Sequence, residues 1–475
     1  MERRELLKWA GAGGIGAGTI GLVAALRDTK DPPADGRPTT EPTTDPTTTS
    51  SAQPIPHADE FGTVVDVVEA GLDLTSSDPI NAFLEEHAAD DTLIAFPPGT
   101  YRLEPITLSE YSHLGLTAIS EEPPTFVSAN GHCVEGGDSS MEFNRVRDLL
   151  VDSIRFEFPG PSGGIIRINA AGDVTVRNVS VVGSCTDQVA QFRIDVLEER
   201  ATALIENLEL DNREKDDSLT GIYVGDHHAG TVVLRDCDVR GYSDNGLYAS
   251  APGLDGGPNG PVIVEGGVYR NNNISNVRLG TSGSRVTGVT VESVDQETVD
   301  LLNVRGIRLR NQSGQVIEDS RVHVGPDSGV GFGGIVFHPA TGGATVRNTE
   351  IVVDKDEFLA INIQEPSGET SGVPVFEGVT ISGAANGGFV GRITGRDGTT
   401  FRGCTIGGSG LNRGGLRFSH SETCRIEDCR IDLSGDPIVL RASSATVVNS
   451  TIVGPDGEER YIDEMEATDG DFTPR

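Results

Sequence analysis

Apolar and polar residues alternate along this chain in two short bursts separated by one Asn, Asp or Gly. The unit returns about every 27 residues over most of the length. Clear copies are Val176-Arg177-Asn178-Val179-Ser180-Val181, Leu234-Arg235-Asp236-Cys237-Asp238-Val239 and Ile426-Glu427-Asp428-Cys429-Arg430-Ile431. An apolar residue at every second position predicts a strand with one buried face. Asn, Asp and Gly are the residues that tolerate a left-handed backbone. Sharp bends are therefore expected at Asp152, Asn178, Asn207, Asp236, Gly266, Gly288, Asp319, Asn348, Gly378, Gly403, Asp428 and Asn449. A third strand recurs as Gly221-Ile222-Tyr223-Val224, Gly246-Leu247-Tyr248-Ala249, Gly334-Ile335-Val336-Phe337 and Gly415-Leu416-Arg417-Phe418. Three strands per repeat, stacked coil on coil, predict an all-β, single-stranded right-handed parallel β-helix of about 12 coils. One coil alone cannot bury its apolar face, so the coils fold as one rod.

Composition changes the picture at the ends. Glu2-Arg3-Arg4-Glu5-Leu6-Leu7-Lys8 precedes a small, apolar stretch from Ala10 to Leu26 and resembles a twin-arginine export signal. Residues 1–27 are read as that signal, either cut near Ala25 or kept as a membrane tether. Residues 28–58 are rich in Pro, Thr and Asp and read as a disordered linker. The β-helix domain is expected over 59–460, with 59–133 as its entry, and 461–475 as an acidic tail. Net charge is −35, from 72 acidic and 37 basic residues. This balance disfavours nucleic acid as a partner. With so few lysines, it resembles secreted proteins of extreme halophiles. Of six cysteines, Cys404 and Cys429 fall one coil apart at the same inward site, as a disulfide or as small core residues. No Cys/His spacing suggests a metal, and no cofactor is expected.

Near the start of the rod, Asp78-Pro79 suits the beginning of a helix running to about Ala88, with Ile80, Phe83, Leu84 and His87 on one face. Thr92 to Leu103 follows, with Phe96-Pro97-Pro98-Gly99-Thr100-Tyr101 at its centre. Helix, strand and repeats together resemble the pectate lyase and polygalacturonase superfamily over about residues 59 to 455. The resemblance implies that the helix plugs one end of the rod. It also implies a substrate, an extracellular polysaccharide, lying along the strand of the Gly-Ile-x-Val type. Alternation there points Ile222, Leu247, Val277 and Val299 inward and Tyr223, Tyr248, Arg278, Asp300, Val336, Asn362 and Arg417 outward, with His338 at the next outward place. The candidate catalytic residues are Asp300 as carboxylate, Arg278 as its cationic partner, and His338. Tyr223, Tyr248, Asn362 and Arg417 are the candidate substrate-binding residues. Arg278 and Asp300 read equally as a cross-strand ion pair.

Two smaller features stand beside this column. Asp226-His227-His228 offers acid–base or metal chemistry, or plain turn residues. Asp216, Asp217 and Asp244 could hold Ca²⁺, or serve only as solvated loop acids. The Asn-Thr-Asp, Asp-Asp, Gly-His-Gly and Arg-Ile-Lys motifs of polygalacturonases are absent, as is the Arg-x-Pro-x-x-Arg of pectate lyases. Two function classes remain: a secreted polysaccharide lyase or glycoside hydrolase, and a non-catalytic surface rod that binds glycans.

Overall fold

The chain divides into two units, Met1–Ala52 and Gln53–Arg475. A computed structural model describes residues 54–128, 139–158, 165–183, 190–212, 219–295 and 303–471 of the second. The export signal, most of the linker, Cys133, Cys185, Asp216, Asp217 and Asp300 lie outside the described residues.

The second unit is a parallel β-solenoid of about twelve coils. A typical coil runs through Ile166–Ala170, Val174–Arg177 and Ser180–Gly183, and the next through Ala190–Val196, Thr202–Glu206 and Glu209–Asp211. They pair in parallel, Ile166 beside Phe192, Val174 beside Ala203 and Ser180 beside Glu209. The core is the column of inward residues, as in Phe192, Ile222, Leu247, Val277, Ile307 and Ile335, all fully buried. The inward residue in register between Val277 and Ile335 is Ile307; Val299, expected inward, lies outside the described residues. Rings stack inside as well: Phe376 and Phe401 lie 4.6 Å apart and nearly parallel. The glycine that leads the third strand has a steric reason. A Cβ at Gly306 would fall 2.4 Å from the Gly334 carbonyl oxygen, and one at Gly415 2.1 Å from that of Pro437.

The bends form where the motif places them. Asn178, Asn207 and Asp236 have φ of 52°, 52° and 50°, and the glycines Gly266 and Gly288 follow at 65° and 66°. The first coil differs: Ser153, with φ 59°, turns the chain and not Asp152. Asp152 lies one residue earlier, where its carboxylate accepts from Asn178 Nδ2 at 2.9 Å; Asn207 in turn donates to Asn178 at 3.1 Å. The outward residue just before each bend makes a second column. In register it reads Asp152, Arg177, Glu206, Arg235, Glu265, Thr287, Glu318, Arg347, Glu377, Arg402 and Glu427. Acid and base alternate coil by coil except at Thr287, which stands between Glu265 and Glu318.

Elements outside the repeat lie toward both ends. The helix Asn81–His87 fully buries Leu84. It begins after Asp78-Pro79, because the N–H of Ile80 is spent on the Arg102 carbonyl at 2.8 Å. At the other end Ile438–Val453 is one continuous strand that pairs with three strands of the coil before it. Glu459–Asp471 returns antiparallel along it, so the acidic segment expected as a tail from 461 is strand as far as Asp471. Cys237, Cys404, Cys424 and Cys429 are buried free thiols, and the Cys404 N–H points at Cys429 Sγ, 3.4 Å away.

Candidate functional site

The third strand of each coil builds an outward column of different character. In register it runs Glu142, Arg167, Arg193, Tyr223, Tyr248, Arg278, Arg308, Val336, Asn362, Arg392 and Arg417. The place beside Arg278 in register is taken by Arg308, while Asp300 lies outside the described residues. Gly306-Ile307-Arg308-Leu309 fits the Gly-Ile-x-Val pattern as well as its neighbours do, so the signal for Arg308 was present in the sequence. The residues between Thr290–Asp295 and Val304–Leu309 on which the expected rung fell lie outside the described residues.

The central rungs interlock. The Tyr223 and Tyr248 rings stack with centroids 5.0 Å apart. The Arg193 guanidinium lies 5.1 Å over Tyr223, and that of Arg278 lies 3.9 Å over Tyr248. Each ring thus has a cation or a ring on either face. The tyrosines offer no free face to a sugar and present their hydroxyl edges instead. Tyr248 Oη accepts from Arg278 Nη2 at 2.9 Å, and Ser250 Oγ accepts from Arg278 Nε at 2.5 Å. Burial pushes the Tyr223 phenol up to about 12, so it stays protonated at neutral pH. On the Arg193 side, buried Asp195 accepts from Arg193 Nε at 3.1 Å and from the His227 N–H at 3.0 Å. That carboxylate sits directly over Gly225, where a Cβ would meet it at 2.1 Å.

On the other side Arg278, Arg305, Arg308 and Arg310 gather around His338. Arg278 and Arg305 are each only 5% exposed. Arg305 donates to the carbonyls of Ile274 and Asn303 and covers the Phe332 ring at 4.2 Å. The Nε groups of Arg305, Arg308 and Arg310 are buried without a partner among the described residues. Burial, then the neighbouring guanidiniums, push Arg308 down to about 7 and Arg305 to about 10. The same two causes hold His338 at about 3, so its imidazole is neutral near pH 7. Its Nδ1 accepts from the Ala340 N–H at 3.2 Å.

The remaining candidates are scattered. Asn362 is buried, and its amide donates to the Phe332 carbonyl at 2.8 Å, which holds the wall of the column. Arg417 lies further along, 5.7 Å over the Phe389 ring. His228 is a core residue: Nδ1 faces the Val196 N–H and Nε2 the Pro261 carbonyl, and burial lowers its pKa. Asp226 is exposed and stands 3.5 Å from Arg193. Asp244 accepts from Thr220 and Asn245. Among the described residues, no group of three His, Cys, Asp or Glu side chains is placed to hold a metal.

No family model and no characterised protein matches the chain by sequence. Solved β-helix structures do resemble it. The A-module of an Azotobacter vinelandii mannuronan C-5 epimerase superposes with TM-score 0.47 at 13% identity, covering 68% of this chain and 95% of its own. The Streptococcus pneumoniae surface protein and adhesin PfbA gives 0.45 at 11%, covering 79% and 99%. A Yersinia enterocolitica family 28 exopolygalacturonase gives 0.30 at 10%, covering 79% of each chain. At such identity and superposition the likeness carries nothing about activity. The assignment of fold rests on the pairings described above.

Proposed function

We propose that this protein is an extracellular carbohydrate-active β-helix that seats a linear polysaccharide along the Tyr223–Arg417 column and acts on it as a lyase or hydrolase. The observation that carries the reading is the register. Polar donors stand outward on consecutive coils, about 4.8 Å apart, in one straight line. A periodic line of guanidinium, phenol and amide donors suits a periodic polymer of hydroxyl and acid groups. Tyr223 on that line, and Asp195 and His338 beside it, are the groups able to accept or deliver a proton.

One observation favours the second reading, a binding rod without catalysis. The rings of Tyr223 and Tyr248 are covered and Asn362 is spent on Phe332, so the middle of the face is already satisfied. Incubating the purified chain in molar salt with a polysaccharide panel separates the two, reading unsaturated products and new reducing ends. Binding with neither product supports the rod, and no binding at all overturns both readings.

A further inference from the structure

Most arginines on this molecule are matched. Arg235 bonds to Glu206 and Glu265, Arg402 to Glu377 and Glu427, and Arg396 spends its guanidinium on the carbonyls of His338, Thr341 and Gln364. Arg308 and Arg310 are the contrast. They sit half-buried beside Arg278 and Arg305, and none of the four forms an ion pair with a described carboxylate. Four like charges in a partly dry site repel one another and lose hydration, which is costly for folding. A chain with 72 acidic residues has carboxylates to spare for that place. Uncompensated charge of this kind marks a site that is completed by a ligand.

We propose that Arg278, Arg305, Arg308 and Arg310 form a seat for an oxyanion group, carboxylate or sulfate, carried by the polysaccharide. This rests on the reading of the column as the ligand face and gives that ligand its charge. Guanidinium forks match planar carboxylate and sulfate oxygens, and Arg308 and Arg310 are partly exposed with no described carboxylate to hold them. Tyr248 and Phe332 flank the seat, each with an arginine over its ring, which fixes the guanidinium planes. The neutral imidazole of His338 adds no further positive charge.

The test is a titration of the purified full chain with four probes. These are oligogalacturonate, the same oligomer fully methyl-esterified, a sulfated dextran fragment and a single-stranded oligodeoxynucleotide. The seat requires the charged glycans to bind at least roughly tenfold tighter than the ester. Whether uronate or sulfated dextran binds tighter then names the source of the oxyanion. Arg308→Gln and Arg310→Gln should each weaken that binding roughly tenfold while raising the melting temperature of the free chain. A merely structural arginine would lower it. Arg310→Gln serves alone if Arg308→Gln does not fold, and Arg347→Gln, outside the cluster, should leave binding unchanged. Equal binding of the ester overturns the seat and leaves the ligand face standing. If no glycan binds but inorganic sulfate stabilises the parent and not Arg308→Gln, the seat stands and the polysaccharide reading falls. No stabilisation by any anion, or an oligonucleotide bound tighter than every glycan, overturns the seat.

Discussion

Two columns of outward residues run the length of this rod, one before the bend and one on the third strand. The first reads acid, base, acid, base on either side of Thr287, so nearly every charge has an opposite neighbour one coil away. The second reads Arg167, Arg193, Tyr223, Tyr248, Arg278, Arg308, with like beside like. Strand geometry and spacing are the same in both, so backbone architecture does not explain the difference. What differs is whether the side chains satisfy each other. A column that does so needs no partner. A column that does not is kept at a cost in stability, and that cost is the physical mark of a site.

The sharpest way to break the contrast is a buried arginine that is fully matched. Arg396→Ala strips partners from three loop carbonyls and should destabilise the fold by about 3 kcal/mol, read from the denaturant midpoint. No change would mean that solvent replaces it freely. A smaller loss is expected from Arg402→Glu, which sets three carboxylates in a row between Glu377 and Glu427. Its melting temperature should fall by a few degrees, the opposite sign to Arg308→Gln. Salt acts on both columns at once. Screening weakens the alternating pairs but relieves the cluster and the excess of acid, so the melting temperature should rise from low to molar NaCl. A flat or falling curve would show that the paired column dominates.

The smallest effect is on pH. His338 is held at about 3 against an ordinary 6.5, so the unfolded chain takes up a proton that the folded chain refuses. Its contribution is intact above about 6.5 and is lost as pH falls toward 3. Carboxylates such as Asp152, held low by hydrogen bonds from Asn178 and His57, also lose stability in acid, but they act in both proteins. His338→Gln should therefore melt less steeply with falling pH than the parent between about pH 6.5 and 4.5. Parallel curves would place His338 outside the field of the arginines.

The solenoid, its bends and its inward column were legible because they are repeated. A motif seen many times corrects its own noise, and Asn178, Asn207 and Asp236 each hold the left-handed turn the pattern required. Errors fell where the repeat is broken. Asp152 was taken for a bend that belongs to Ser153, because both residues suit a turn. Arg308 was passed over as a rung because Asp300, after the apolar Val299, fits the same alternation. The acidic end was read as a tail because antiparallel return of a single strand has no period to reveal it. The site was less legible for another reason: alternation tells which way Tyr223 and Arg278 point, and nothing about what covers them. That the tyrosine faces are closed by Arg193 and Arg278 is a property of neighbouring coils.

The alternation of the first column also gives the rod a parity. Remove one charged coil, and like meets like at the contact where the halves rejoin, as Arg177 would meet Arg235 without Glu206. Remove two, and every sign matches again. A chain that misaligns by a single turn while folding meets the same penalty, so the seam discriminates between neighbouring registers that the uniform Val and Ile core cannot tell apart. Growth or shortening of such a rod by whole repeats is then expected in even steps.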